Sequence, residues 1–114
     1  MNIFRVQNKD GRGPWKPGFS HIWIEDRKDH DNLHPWIEEF HGLDLTVSGH
    51  LGCGCKTIKQ LRRWFTKREY KKLVSLGYKA VCVVADEILA ESNIQCVFKS
   101  DRPLKDTATG IKLY

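Results

Sequence analysis

No stretch of this chain approaches the roughly 20 consecutive apolar residues that a membrane-spanning helix requires. The opening, Met1-Asn2-Ile3-Phe4-Arg5, has no apolar core of the kind a secretory leader carries, so a cytoplasmic location is expected. Internal repeats and low-complexity tracts are also missing, which leaves neither a solenoid nor a disordered linker as the expectation. Cysteine is scarce, at four residues. In a leaderless chain these are expected as reduced thiols rather than disulfides. Cys82 and Cys96 sit in apolar runs and read as small core residues.

What is present is enough for one core. The 114 residues are 40% apolar and 29% charged, with four Trp, five Phe and three Tyr. That length and composition predict one domain over residues 1–114. The net charge is +5, but it is unevenly placed. Residues 56–79 hold nine Lys or Arg against one acid, Glu69, whereas residues 25–44 hold seven acids against Arg27 and Lys28. A basic face suggests an anionic ligand or partner. The plainer alternative is a pair of solvated faces that keep the protein in solution.

Hydrophobic periodicity and turn chemistry place the elements. Ile3, Phe4 and Val6 predict a first strand over residues 2–7. The run Gly11-Arg12-Gly13-Pro14-Trp15-Lys16-Pro17-Gly18 can be neither helix nor ladder strand and reads as an ordered loop. A short strand is expected at His21-Ile22-Trp23-Ile24, a surface loop over residues 25–32 and a helical turn over 35–40 closed by Gly42. Residues 43–54 read as strand and loop.

Thr57-Ile58-Lys59-Gln60 and Thr66-Lys67-Arg68-Glu69 are consecutive capping boxes. With the apolar spacing of Ile58, Leu61, Trp64 and Phe65, then Tyr70, Leu73 and Val74, they predict two helices across residues 57–76 that meet at Thr66. Gly77 stands at the left-handed cap. Strands are expected over 78–85 and 94–98, an acidic turn over 86–93, and a closing edge strand over 111–114. The expected class is α+β: a small mixed or antiparallel sheet with short helices packed on one side.

Three groups of residues are candidates for function. The glycine–proline loop offers close backbone approach at Gly11 and Gly13, a guanidinium at Arg12 and a ring at Trp15, a set that suits a phosphate and a flat base. The alternative is a structural loop with Trp15 as a core plug. Cys53-Gly54-Cys55, with His21, His30, His34, His41 and His50, has the ligand types for zinc. The cysteine spacing is too short for the usual knuckle, so no metal is expected and the glycines read as a tight turn. Finally, Lys59, Arg62, Arg63, Lys67, Arg68, Lys71 and Lys72 line the helix pair, a candidate surface for a host protein or a nucleic acid.

Several segments together resemble small phage and prophage proteins with an ADP-ribosyltransferase-like fold. They are Ile3-Phe4-Arg5-Val6 with Gly11-Arg12-Gly13-Pro14-Trp15, then Leu51-Gly52-Cys53-Gly54-Cys55-Lys56-Thr57-Ile58, Gln60-Leu61-Arg62-Arg63-Trp64-Phe65, and Ile94-Gln95-Cys96-Val97-Phe98. That resemblance implies NAD or another ADP-ribose nucleotide as ligand and a host macromolecule in a bacterial cytoplasm as target. It implies that Arg5 helps hold the nucleotide and that residues 48–57, with Ser48 and Cys53, shape the nicotinamide pocket. It also implies a catalytic glutamate where this chain has Gln95. A neutral amide there forgoes about 3 kcal/mol of transition-state stabilisation, roughly a hundredfold in rate. Glu91 is the nearby acid in the sequence. The other expectation is a non-enzymatic inhibitor of a host defence protein, or a nucleic-acid binder, acting through the 57–76 helix pair.

Overall fold

The computed structural model describes residues 1–15, 19–24, 33, 39–40, 42 and 48–114. Strand β1, Asn2–Gln7, pairs antiparallel with β3, Lys79–Val84, in the register Arg5 opposite Val81. The other edge of β3 takes the two-residue β6, Thr109–Gly110. A second antiparallel sheet is built from β2, His50–Gly54, on β5, Cys96–Ser100, with β4, Glu87–Glu91, on the far side. The strand orders are β1-β3-β6 and β2-β5-β4. The fold is therefore α+β with two antiparallel three-stranded sheets, not one mixed sheet. One bridge joins them: Phe4 and Cys55 exchange backbone hydrogen bonds in both directions, each 2.8 Å.

Among the described residues, the sheets are accompanied by helices α1, Ser20–Trp23, α2, Ile58–Trp64, and α3, Lys67–Ser75. Both capping boxes form as the spacing requires. Thr57 accepts from Gln60 N–H, Thr66 accepts from Glu69 N–H, and each N3 side chain reaches back to its cap. Helix α3 ends with Gly77 at φ 92°, Gly77 N–H on Val74 O at 3.1 Å and Tyr78 N–H on Leu73 O at 3.0 Å. That is a Schellman cap at the glycine the sequence singles out.

Strand alternation sorts the side chains into two cores. Val6 and Ala80 face the helices and join Trp23, Leu61, Trp64, Phe65, Leu73 and Leu113. Ile3, Val81 and Val83 face the second sheet and join Cys96, Phe98 and Leu104. The first sheet thus has helices on one face and a sheet on the other.

Several expectations need correction. His21-Ile22-Trp23 is helical, not a strand; Trp23 is 1% exposed in the aromatic core and its Nε1 donates to Pro14 O at 3.3 Å. Side-chain anchoring decides the local conformation there, over β propensity. The expected acidic turn after β3 is strand β4, whose alternation is broken by a register shift between Ile88 and Ala90. The late strand begins two residues after Ile94, because Ser92 Oγ accepts from Ile94 and Gln95 N–H and holds them in a turn. The closing edge strand is Thr109–Gly110, while the tail is drawn onto α2: Arg62 Nε donates to Leu113 O at 2.8 Å. Cys53 and Gly54 lie in strand β2, not in a tight turn. The expected loop over 25–32 and most of the 35–40 turn fall outside the described residues; Glu39 is helical and Gly42 has φ 88°.

Candidate functional site

Alternation along β1 turns Ile3, Arg5 and Gln7 to the same side, toward the second sheet. Two of those three are polar, in a place where the partners are Phe98 and Leu104. Arg5 is 7% exposed and Gln7 is 2% exposed. Each makes one hydrogen bond: Arg5 Nη2 to Gly11 O at 3.3 Å and Gln7 Nε2 to Leu104 O at 3.2 Å. Arg5 Nε, Arg5 Nη1 and Gln7 Oε1 are buried with no hydrogen-bond partner. No acid pairs with Arg5 among the described residues. Burial lowers the Arg5 pKa, and the neighbouring Cys53 acts in the opposite direction. Burial likewise raises the Cys53 thiol, with the Arg5 charge pulling it back down.

The backbone around the guanidinium is cut to admit it. A Cβ on Gly52 would stand 2.5 Å from Arg5 Nη1 and 2.8 Å from both Phe98 and Leu104. A Cβ on Gly13 would stand 3.4 Å from Arg5 Nη2. Gly11 takes φ 82°, inside a turn in which Asn8 Oδ1 accepts from Asp10 and Arg12 N–H at 3.0 Å each. Outside this layer lies a groove of about 400 Å³ lined by Asp10 and Gly11, the 49–51 segment and Pro103-Leu104-Lys105. Arg5 and Gln7 hold two walls of that groove from beneath, through Gly11 O and Leu104 O.

Of the residues expected at the site, the structure gathers Arg5, Gly11, Gly13 and Cys53, and Ser48 is exposed one residue before the groove. Arg12 is exposed. Trp15 lies elsewhere, its ring edge-on to Trp23 at 4.8 Å and to Trp64 at 5.9 Å, against the helix-side core. It is 39% exposed but packs in a different cluster from Phe98 and Leu104, the residues beside Arg5. Gln95 is 5% exposed, and its Nε2 donates to Glu39 Oε1 at 3.0 Å. Glu91 points away, paired with Lys56 at 2.8 Å. The acid beside Gln95 is Glu39, which also accepts from Ser92 Oγ at 2.8 Å.

Sequence reasoning missed Gln7, Glu39 and the 103–105 wall. Gln7 had a signal, two residues from Arg5 on one strand face; Glu39 had none, since 56 residues separate it from Gln95. Among the described residues no group of three or more His, Cys, Asp or Glu is placed to hold a metal. The helix-pair cations Lys59, Arg62, Arg63, Lys67, Arg68 and Lys71 are all exposed.

Comparison with known proteins places the chain among phage proteins. A family model described as Bacteriophage T4 Y00F protein matches residues 1–108, so the chain belongs to that family. No curated protein and no solved structure matches it. No helix among the described residues is long and apolar enough to cross a membrane.

Proposed function

We propose that this phage protein binds a phosphate-bearing nucleotide, of the NAD or ADP-ribose kind that the resemblance implies, with Arg5 taking a phosphate. One observation carries the reading: a guanidinium 7% exposed with two of its donor nitrogens unpartnered. A buried cation without a counter-charge costs several kcal/mol, and an anion removes that cost while using the fork of donors that a phosphate fits. Gly52 and Gly13 admit the guanidinium itself, whose side chain fills the space beside them. Gln7 Oε1, an unpaired acceptor on the same strand face, suits a ribose hydroxyl or a protonated phosphate oxygen.

The residues suit the phosphate end of such a ligand better than its rings. Trp15 is committed to the helix-side aromatic cluster. Gln95 is neutral, and its amide is held by Glu39. The proposal is accordingly of a binder of ADP-ribose nucleotides rather than an efficient transferase, in keeping with the missing charge at Gln95. Titration calorimetry with ADP-ribose, NAD, AMP and inorganic phosphate tests it. Binding of at least one nucleotide, lost in Arg5→Met, is the expected result. No heat from any of the four at millimolar concentration removes the reading.

A further inference from the structure

Helices α2 and α3 have a face that the Arg5 site does not use. Lys59, Arg62 and Arg63 are exposed on α2, and Lys67, Arg68, Lys71 and Lys72 are exposed on α3. Glu69, the acid within residues 56–79, is 1% exposed, because it is folded into the Thr66 capping box. The carboxylate is thereby withdrawn from the surface and the lysines are left. Among the described residues no acid pairs with Lys59, Lys67, Lys71 or Lys72. Two capping boxes and a Schellman cap fix the two helices before any ligand arrives, so binding does not have to order them.

We propose that this face binds double-stranded DNA through its phosphates. A lysine-rich surface is poorly suited to the core of a protein interface, where lysine is depleted. Counter-ion release from phosphates uses such charges directly. Single strands need aromatic platforms, yet Trp64 and Phe65 are buried and Tyr70 OH is occupied by Ala80 N–H at 2.9 Å. A single helix fits the wide major groove of B-form DNA, whereas the deep, narrow groove of A-form RNA excludes it.

The test is fluorescence anisotropy of a labelled 20-base-pair duplex across a sodium chloride series, on the full chain. With the four unpaired lysines engaged, log K falls against log salt with a slope of about −3.6. Lys67→Glu combined with Lys71→Glu and Lys72→Glu weakens binding at least ~100-fold. Circular dichroism melting of the same variant, unchanged from the parent, shows that the fold survives. Arg5→Met binds the duplex like the parent, which separates this face from the nucleotide site. A duplex affinity that ignores salt, survives the triple reversal, or falls below the affinity for single-stranded DNA or duplex RNA overturns the proposal.

Discussion

Arg5→Met exchanges a buried cation for an apolar chain of similar reach, and it separates stability from binding at one position. Leaving a buried donor without a partner costs about 1–3 kcal/mol, and Arg5 has two such nitrogens, Nε and Nη1. Against this, the variant gives up the charge-assisted bond to Gly11 O, worth about 1.5–3 kcal/mol. Gly11 is partly exposed, so its carbonyl can turn to solvent. The balance favours methionine by about 1–3 kcal/mol, as when buried charges elsewhere are replaced by apolar side chains. A chain of 114 residues gains about 4 °C in Tm per kcal/mol, so the midpoint should rise by roughly 4–12 °C in phosphate-free buffer. Scanning calorimetry is then repeated with added phosphate. The parent should gain stability with ligand concentration and the variant should not. A variant that melts lower than the parent without phosphate, or that gains from phosphate equally, refutes the account of Arg5 as an anion-seeking cation.

Other perturbations probe the surroundings. Gly52→Ala puts a methyl group against Arg5 Nη1, Phe98 and Leu104 and should cost about 1–3 kcal/mol in urea unfolding. Combined with Arg5→Met the cost should shrink, and strict additivity would show that the guanidinium is not what the glycine accommodates. Burial raises the Cys53 and Cys55 thiols and pushes Cys96 up to about 11, so all three should be slow toward a disulfide reagent at pH 8 until urea unfolds the chain. Because their folded values are raised, the stability they contribute is whole below the unfolded thiol value. It declines as pH rises from there through the folded values, to about 11 for Cys96; a Cys96→Ala variant with the same alkaline profile would contradict this. Thr66→Ala removes the cap of α3 and should lower stability by about 1 kcal/mol, read as a fall of roughly 4 °C in Tm.

What the sequence made legible was local. The first strand, both capping boxes and the Gly77 terminus depend on residues within four positions of one another, and they form where the spacing puts them. What it hid was set by distant partners. Residues 87–91 read as a turn from their acids, yet they pair with β5, and the shift at Leu89 removes the alternation that would have revealed them. The split into two sheets is equally nonlocal. Gly52 and Gly54 suggested a turn, but they are missing side chains that would strike Arg5, Ile3 and the Phe4 carbonyl. At the site, Arg5 was visible as a charge in an apolar strand. Its unpartnered Nε and Nη1 were not, because they depend on what the fold packs around the side chain.

The Phe4–Cys55 bridge described above is the backbone seam between two otherwise separate ladders. Parting the sheets breaks these two backbone hydrogen bonds and the one that Ser100 Oγ donates to Val84 O, while leaving every strand pair within each sheet intact. The amides of Phe4 and Cys55 therefore act as reporters in hydrogen exchange: their protection measures how often the layers breathe.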